Sequence, residues 1–299
     1  MPPAKANARA SARIAAAALS ALLAASAVLG VLGCAGTGAS PHGSPWTGGQ
    51  AGNAQAAGGQ PGGGGAVTAA AATSRIRNPG NGRMEAVVPD ISRTVLLIGD
   101  SQSEPTDGWP RLGLASAGYN VYFCGRGGTG YVAANGATGN YIDALQRGDW
   151  LLPSGAPALI VIEGGGNDAA SGASNANIAE NAARLIAELK ARYPGTRMAM
   201  IGTLARGADN GGGRRSEVDT LLGSVAGVHG LPFISVGDWL TRYGLAKDLA
   251  DSVHMNTAGR AALGGILAGR LRELGLDRKP SVEQGPLAAV AGSSSALQD

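Results

Sequence analysis

The chain has 299 residues, a length that fits one or two domains. Its formal net charge is +3 and its lysines and arginines are scattered, so the composition excludes a nucleic-acid-binding protein of the usual basic kind. The two cysteines and three histidines have neither the spacing of a zinc site nor that of a disulfide framework, so no metal is expected.

The first 34 residues have the layout of an export signal. Three basic residues precede an apolar run over residues 14–32. The run ends in a sequence that resembles a bacterial lipobox, in which Cys34 would be lipidated. An uncleaved membrane anchor and ordinary cleavage near Ala35 are the alternatives. Each of the three predicts a secreted or extracytoplasmic protein, tethered to the membrane in two of them.

The next segment is predicted to be a disordered linker over residues 35–90. Its first part, to residue 75, consists of glycine, alanine, serine, proline and glutamine with almost no large apolar side chain. Such a sequence cannot bury enough surface to offset the entropy of ordering it. His42 lies here and no role is expected for it. The C-terminal residues 277–299 are also predicted to be disordered, which leaves one domain at 91–276.

Strand and helix patterns alternate within that domain. Short apolar runs predict five strands, at residues 94–98, 120–123, 158–162, 198–201 and 231–236. Helical patterns lie at 109–117, at 178–189, from a capping box at 216–219, and at 257–274. Continuously apolar strands that alternate with helices indicate a parallel sheet covered on both faces. The expected fold is therefore a three-layer α/β/α sandwich with a central, mainly five-stranded parallel sheet.

Polar or glycine-rich segments occur where the predicted strands end. Residues 99–102, 125–130 and 165–168 each follow a strand, and residues 251–254 precede the last helix. In open parallel sheets, ligands bind beyond the carboxyl ends of the strands. We therefore expect these four segments to form one site.

The four segments resemble the sequence blocks of the SGNH, or GDSL, hydrolase family. Gly-Asp-Ser at 99–101 resembles the first block, 125–128 the second, Gly-Asn-Asp at 166–168 the third, and Asp-x-x-His at 251–254 the fourth. Gln102 breaks the family pattern Gly-Asp-Ser-Leu at a position that is not catalytic. The resemblance implies a flavodoxin-like SGNH hydrolase fold and carboxylic ester hydrolysis without cofactor or metal.

The residue types in these segments suit an acyl-transfer mechanism. Ser101 is the predicted nucleophile, and a hydroxyl needs a base because it is a weak nucleophile by itself. His254 is the predicted base, and Asp251, three residues earlier, is predicted to orient its ring.

A developing oxyanion also needs fixed hydrogen-bond donors. The resemblance assigns this role to the backbone N–H groups of Ser101 and Gly128 and to the side-chain amide of Asn167. Glycine suits such a position because, without a Cβ, its backbone can approach the substrate closely. Gly127 is the nearest alternative to Gly128.

Other residues have simpler interpretations. Asp100 and Asp168 are predicted to hold loops by hydrogen bonds to the backbone, and Cys124 to be a small core residue. His229 precedes the fifth strand, at the wrong edge of the sheet. The glycines at 125–130 match a dinucleotide-binding fingerprint, but they follow the second strand and no helix pattern comes next, so a dinucleotide is not expected.

The predicted function is that of a monomeric serine esterase with a small-molecule, lipid or glycan ester as substrate. An acyltransferase that uses the same three residues is one alternative. A non-catalytic glycan-binding module of the envelope is another. The glycine-rich loop at 207–215 starts beyond the fourth strand, and we expect it to shape or cover the cleft.

Overall fold

The computed structural model describes residues 70–278 of the chain. The predicted export signal with Cys34, the part of the predicted linker that holds His42, and residues 279–299 lie outside the described residues. No helix in the described part combines the length and the apolar character that a bilayer crossing requires.

Seven strands and seven α-helices are present between residues 70 and 278. The strands are β1 (Ser74–Arg77), β2 (Met84–Val87), β3 (Thr94–Gly99), β4 (Asn120–Gly125), β5 (Leu159–Glu163), β6 (Met198–Ile201) and β7 (Phe233–Ile234). The helices are α1 (Trp109–Ser116), α2 (Tyr141–Arg147), α3 (Gly166–Ala170), α4 (Asn175–Arg192), α5 (Gly213–Val228), α6 (Trp239–Arg242) and α7 (Thr257–Glu273).

The five strands β3 to β7 form the central sheet. Their order is β4-β3-β5-β6-β7, and every neighbouring pair is parallel. All residues of β3 and β5 are buried, because helices cover both faces of the sheet. The strand order reverses between β3 and β5, which makes a crevice beyond their carboxyl ends.

Alternate residues of β3 enter two separate cores. Leu96 and Ile98 pack in one core with buried residues of α2, α4 and α5. Val95 and Leu97 pack in the other with buried residues of α1, α6 and α7. The predicted three-layer sandwich with its five-stranded parallel sheet is therefore confirmed.

The structure differs from the linker prediction between residues 74 and 90. Strands β1 and β2 form an antiparallel hairpin there, in the register Ser74↔Val87. The backbone N–H of Ala86 donates to the carbonyl of Leu152, and Ala86 is fully buried in the first core. The folded unit thus begins well before residue 91.

The capping box predicted at Ser216 is not the start of its helix. Helix α5 begins one turn earlier, at Gly213, and Ser216 lies inside it. The Ser216 hydroxyl donates to the carbonyl of Gly237. The carboxylate of Asp219 is buried and accepts the backbone N–H groups of Thr203 and Val236. Both polar side chains therefore join α5 to neighbouring loops.

Candidate active site

The structure brings the three predicted catalytic side chains into one hydrogen-bonded chain. His254 Nε2 lies 2.9 Å from Ser101 Oγ, and His254 Nδ1 lies 2.8 Å from Asp251 Oδ2. Ser101 and His254 are 153 positions apart, so the fold alone makes this contact. With a proton on Nδ1, His254 donates to the carboxylate and presents Nε2 as an acceptor to the Ser101 hydroxyl.

The turn that holds Ser101 is fixed by the residues on either side of it. Asp100 Oδ1 accepts the backbone N–H of Gln102 at 2.9 Å, and the Asp100 carbonyl accepts that of Ser103. A Cβ at Gly99 would lie 2.6 Å from the Ser103 hydroxyl oxygen. Only glycine fits there, so the chain can turn sharply as soon as β3 ends.

The Asp251–His254 loop is held by the same carboxylate that contacts the imidazole ring. Asp251 Oδ1 accepts the backbone N–H groups of Val253 and His254, each at 2.8 Å. These hydrogen bonds, together with that from the His254 ring, hold the pKa of Asp251 far below its usual range. Asp251 is therefore ionised at neutral pH.

Gln102 connects the two halves of the site, a role that was not predicted from the sequence. Its Nε2 donates to the carbonyl of Val253 at 2.9 Å, and its Oε1 accepts the indole N–H of Trp109 at 3.1 Å. The buried amide thus joins the Ser101 turn to the histidine loop. A leucine, the residue of the family pattern, offers neither hydrogen bond.

The backbone donors near Ser101 distinguish between the two candidate glycines. Gly127 N–H already donates to the Glu104 carboxylate at 2.8 Å. Between residues 70 and 278, neither Ser101 N–H nor Gly128 N–H is bonded to an acceptor. Gly128 has a φ of 80°, in the left-handed region that favours glycine. The available donors are therefore those of Ser101 and Gly128.

Asn167 lies in α3, beyond the end of β5, and lines the same cavity as Ser101. Its Nδ2 donates to the carbonyl of Thr129 at 2.9 Å and to Asp100 Oδ2 at 3.2 Å. Both amide hydrogens are thus engaged by the protein. The longer bond, to Asp100, is the one that a substrate oxygen would have to replace.

Asp168 has the loop-holding role predicted for it. Its carboxylate accepts the backbone N–H groups of Tyr131, Val132 and Ala133 at 2.7–2.9 Å. The loop after β4, which contains Gly128, is thereby fixed against the residue next to Asn167. The same prediction for Asp100 is also confirmed, by its bond to Gln102.

Two buried carboxyl groups, Asp100 and Glu163, lie close to the turn that holds Ser101. Burial raises the pKa of Asp100 to about 6, and burial and the neighbouring Asp100 raise that of Glu163 well above its usual range. Glu163 accepts the Ser103 hydroxyl at 2.6 Å. Glu163 was not among the predicted site residues, although its place at the end of β5 was a signal.

A cavity of about 50 Å³ lies at Ser101. Its lining consists of Asp100, Ser101, Gln102, Gly166, Asn167, Arg215, Val253 and His254. A second cavity of about 130 Å³ adjoins it, and Arg215 and Val253 line both. Arg215 lies in the first turn of α5, and Gly211 and Gly212, just before that helix, line the second cavity, so part of the predicted loop at 207–215 does border the cleft.

The remaining candidate residues lie elsewhere. His229 follows the last residue of α5 and takes no part in the site, and Cys124 is buried in the first core. Residues 126–140, which follow the dinucleotide-like glycines, contain no helix. Within the described range, no three His, Cys, Asp or Glu side chains are grouped in a way that could hold a metal ion.

Comparison with known proteins identifies the family. The model of the GDSL-like lipase/acylhydrolase family matches residues 97–262, more than half of the chain. Esterase TesA of Pseudomonas aeruginosa is 33% identical over 119 residues, which cover 37% of this chain and 54% of that esterase. The chain therefore spans about half the length of this relative.

Two solved structures are similar to the described domain. One is Est24, a carbohydrate acetylesterase from Sinorhizobium meliloti, with 19% identity and a TM-score of 0.46. The other is the aryl esterase of M. smegmatis, with 18% identity and a TM-score of 0.43. Each match covers 61% of this chain and 99% of the other. On the family match, which spans all four sequence blocks, the chain belongs to the GDSL-like lipase/acylhydrolase family.

Proposed function

We propose that this protein is a serine esterase that hydrolyses carboxylic esters through an acyl-enzyme on Ser101. The observation that carries the proposal is the continuous hydrogen-bonded chain from Asp251 through His254 to Ser101 Oγ, with distances of 2.8 and 2.9 Å. Distances of this size are within the reach needed for proton transfer between a nucleophile and its base.

In the first step His254 Nε2 takes the hydroxyl proton while Ser101 Oγ attacks the ester carbonyl carbon. The resulting oxyanion accepts hydrogen bonds from the N–H groups of Ser101 and Gly128 and from the Asn167 amide. His254 then returns the proton to the leaving alcohol as the C–O bond breaks. A water molecule, deprotonated by His254, then attacks the acyl carbon. His254 returns that proton to Ser101 Oγ as the acyl bond breaks, which releases the acid and restores the enzyme.

The proposed substrate is an ester of a short acyl group. The cavity at Ser101 is about 50 Å³, and a single water needs roughly 10–15 Å³ of such space. It therefore holds only a few heavy atoms. We expect p-nitrophenyl acetate to be hydrolysed with a higher kcat/KM than esters of long-chain acids, and the reverse preference would contradict this assignment.

Labelling with a fluorophosphonate probe tests the nucleophile. The probe should modify Ser101, identified by mass mapping, and Ser101→Ala should abolish both labelling and hydrolysis of p-nitrophenyl acetate above background. Equal background rates for both proteins would favour the alternative of a glycan-binding module. Product partition with and without a polyol acceptor separates hydrolysis from acyl transfer.

We further propose that this reaction takes place outside the cytoplasm. The support is the basic start and the apolar run that precede Cys34 in the sequence. Expression of the full chain in bacteria should place the protein in the membrane fraction or in soluble form outside the cytoplasmic membrane, and Cys34→Ser should release it from the membrane if lipidation is the anchor. A cytoplasmic location of the unaltered chain would contradict the proposal.

A further inference from the structure

Arg215 places a guanidinium group against the residues that line the active site. It belongs to the first turn of α5 and is partly buried. Its Nε donates to the carbonyl of Leu204 at 2.9 Å, and a Cβ added to Gly166 would lie 2.7 Å from its Nη1. Gly166 directly precedes Asn167, so the charged end of Arg215 borders the oxyanion donors.

This guanidinium has no carboxylate partner of its own. Among residues 70–278, Arg215 takes part in no ion pair. The nearby acids Asp100 and Glu163 are bonded to other donors, Gln102 and Ser103 among them. Burial lowers the pKa of Arg215, although the nearby charges of Asp100 and Glu163 raise it. A desolvated cation of this kind favours an anionic partner.

The second cavity has the charge that such a partner requires. Its lining contains two arginines, Arg206 and Arg215, and no acidic residue. Arg215 and Val253 also line the cavity at Ser101, so the two spaces adjoin at the guanidinium. A group bound in the second cavity is therefore close to the reacting carbonyl.

We propose that this second cavity is an anion-binding subsite, in which Arg215 recognises a carboxylate carried by the ester substrate. The planar guanidinium can donate to both carboxylate oxygens at once, and Arg206 adds positive charge at the exposed side. This inference rests on the proposed esterase function and narrows its substrates to short esters that bear a negative charge.

Two pairs of esters, each with a neutral and a charged member, test the subsite. Methyl butanoate and monomethyl succinate differ by a carboxylate on the acyl side. Phenyl acetate and 4-acetoxybenzoate differ by a carboxylate on the alcohol side. kcat/KM is measured for the wild type, Arg215→Gln, Arg215→Lys and Arg206→Gln. Arg214→Gln is the matched control, because Arg214 contacts Ala173 and Glu217 and lines neither cavity.

We expect Arg215→Gln to lower kcat/KM for the charged ester about 10- to 100-fold more than for its neutral partner in at least one pair, since hydrogen bonds to charged groups have this strength. Arg215→Lys should keep part of the preference for the charged ester. Arg206→Gln should weaken this preference less than Arg215→Gln does, and Arg214→Gln should leave it unchanged.

If Arg215→Gln lowers kcat/KM equally for the neutral and the charged ester of each pair, the proposal is overturned. Arg215 would then act as a counter-ion for Asp100 and Glu163. If Arg215→Gln does not fold, Arg215→Lys and Arg206→Gln are compared with the wild type in the same way. An unaltered preference for the charged ester in both variants would overturn the proposal. If the wild type hydrolyses none of the four esters, the esterase function is contradicted, and with it the subsite proposal that rests on it.

Discussion

Asp251 fixes the position of His254 in two ways. One carboxylate oxygen accepts the backbone N–H groups of Val253 and His254, and the other accepts the ring Nδ1. The first set of bonds shapes the loop, while the last bond selects the tautomer in which Nε2 is free to accept a proton. These two roles can be separated by substitution.

Asp251→Asn should keep the conformation of the Asp251–His254 loop but lose the His254 tautomer that is protonated on Nδ1. The asparagine oxygen can accept the two backbone N–H groups, but its NH₂ then faces Nδ1 and favours the imidazole that is protonated on Nε2. We expect kcat to fall by about 10²- to 10⁴-fold with little change in Tm. Steady-state kinetics and thermal unfolding measure the two effects. Asp209→Asn, at an exposed carboxylate that lines neither cavity, is the control. A kcat within threefold of the wild type would contradict this role of Asp251.

The buried acids Asp100 and Glu163 make stability depend on pH. Burial raises the pKa of Asp100 from 3.8 to about 6 and that of Glu163 well above its usual range. At a pH between the ordinary pKa of each acid and its raised pKa in the folded protein, the folded protein holds protons that the unfolded chain has lost. The free energy of unfolding should therefore fall as pH rises from about 4 to 6, by up to about 3 kcal/mol from Asp100, and further as Glu163 ionises.

Glu163→Gln should reduce this pH dependence. The substitution removes one of the two buried acids whose pKa is raised, while glutamine can still accept the Ser103 hydroxyl. Urea unfolding from pH 4.5 to 8 should show a smaller slope than in the wild type. Glu188→Gln, at an exposed position of α4, should leave the slope unchanged. Equal slopes in all three proteins would show that the buried pair does not cause the effect.

Individual residues differed in how far the sequence could predict them. Ser101 was predicted to lie at the edge where the parallel strands end. Asp251 and His254 were predicted to join it because their segment precedes the last helix and resembles the fourth block of the family, and the structure brings the three side chains together. Gln102 and Arg215 were not assigned roles. Their contacts run to Val253 and Leu204, which lie on other loops, and no local pattern encodes such contacts.

At the scale of elements, helices α1 and α7 pack through glycine. A Cβ at Gly264 would lie 2.7 Å from the Cβ of Leu112, and one at Gly113 would lie 2.5 Å from a methyl carbon of Leu267. The absent side chains let the two helices approach closely beneath the histidine loop. Gly265, the next residue of α7, faces open space.

Gly264→Ala and Gly265→Ala should therefore change stability in opposite directions. Alanine favours a helix over glycine by up to about 1 kcal/mol, which is the expected gain at Gly265. At Gly264 the added methyl must displace α1, at a cost of about 1–3 kcal/mol that exceeds this gain. Urea denaturation of both variants measures the difference. Stabilisation by both substitutions would contradict close packing at Gly264.

An element could be predicted well where its residues form a clear pattern in the sequence, and poorly where they do not. Strands β3 and β5 were predicted almost to the residue, because burial on both faces demands a continuous apolar run. The start of α5 was misplaced, because a capping-box pattern also fits two side chains bonded to other loops. Strand β1 has only exposed residues, so no hydrophobic period reveals it.

At the scale of the whole molecule, the strand order determines which loops meet. Ser101 follows β3 and Asn167 follows β5, the two strands between which the order reverses. Continuous apolar strands predicted a parallel sheet, but several strand orders satisfy that pattern. The order itself depends on how the helices pack across the two faces, which only the complete fold determines.

The amino-terminal hairpin is joined to the domain by a buried ion pair. Glu85 Oε1 accepts Arg192 Nη2 at 2.9 Å, and the two side chains are 4% and 12% exposed. Burial alone would raise the pKa of Glu85, but hydrogen bonds from Asn78, Ser154 and Asn81 and the charge of Arg192 lower it below its ordinary value. Glu85 is therefore ionised, and it ties the hairpin to the end of α4.

Glu85→Ala should destabilise the full-length protein by about 3–5 kcal/mol, because it leaves the Arg192 charge buried without a partner. Replacing both residues, as Glu85→Ala with Arg192→Met, should cost less than the sum of the two single changes. Glu217→Ala, which breaks a largely exposed pair with Arg214, should cost at most about 1 kcal/mol. Denaturant unfolding of these variants checks all three values. If Glu85→Ala costs no more than Glu217→Ala, the hairpin does not share the cooperative unfolding of the sheet. The folded unit would then begin at β3, as the sequence alone had indicated.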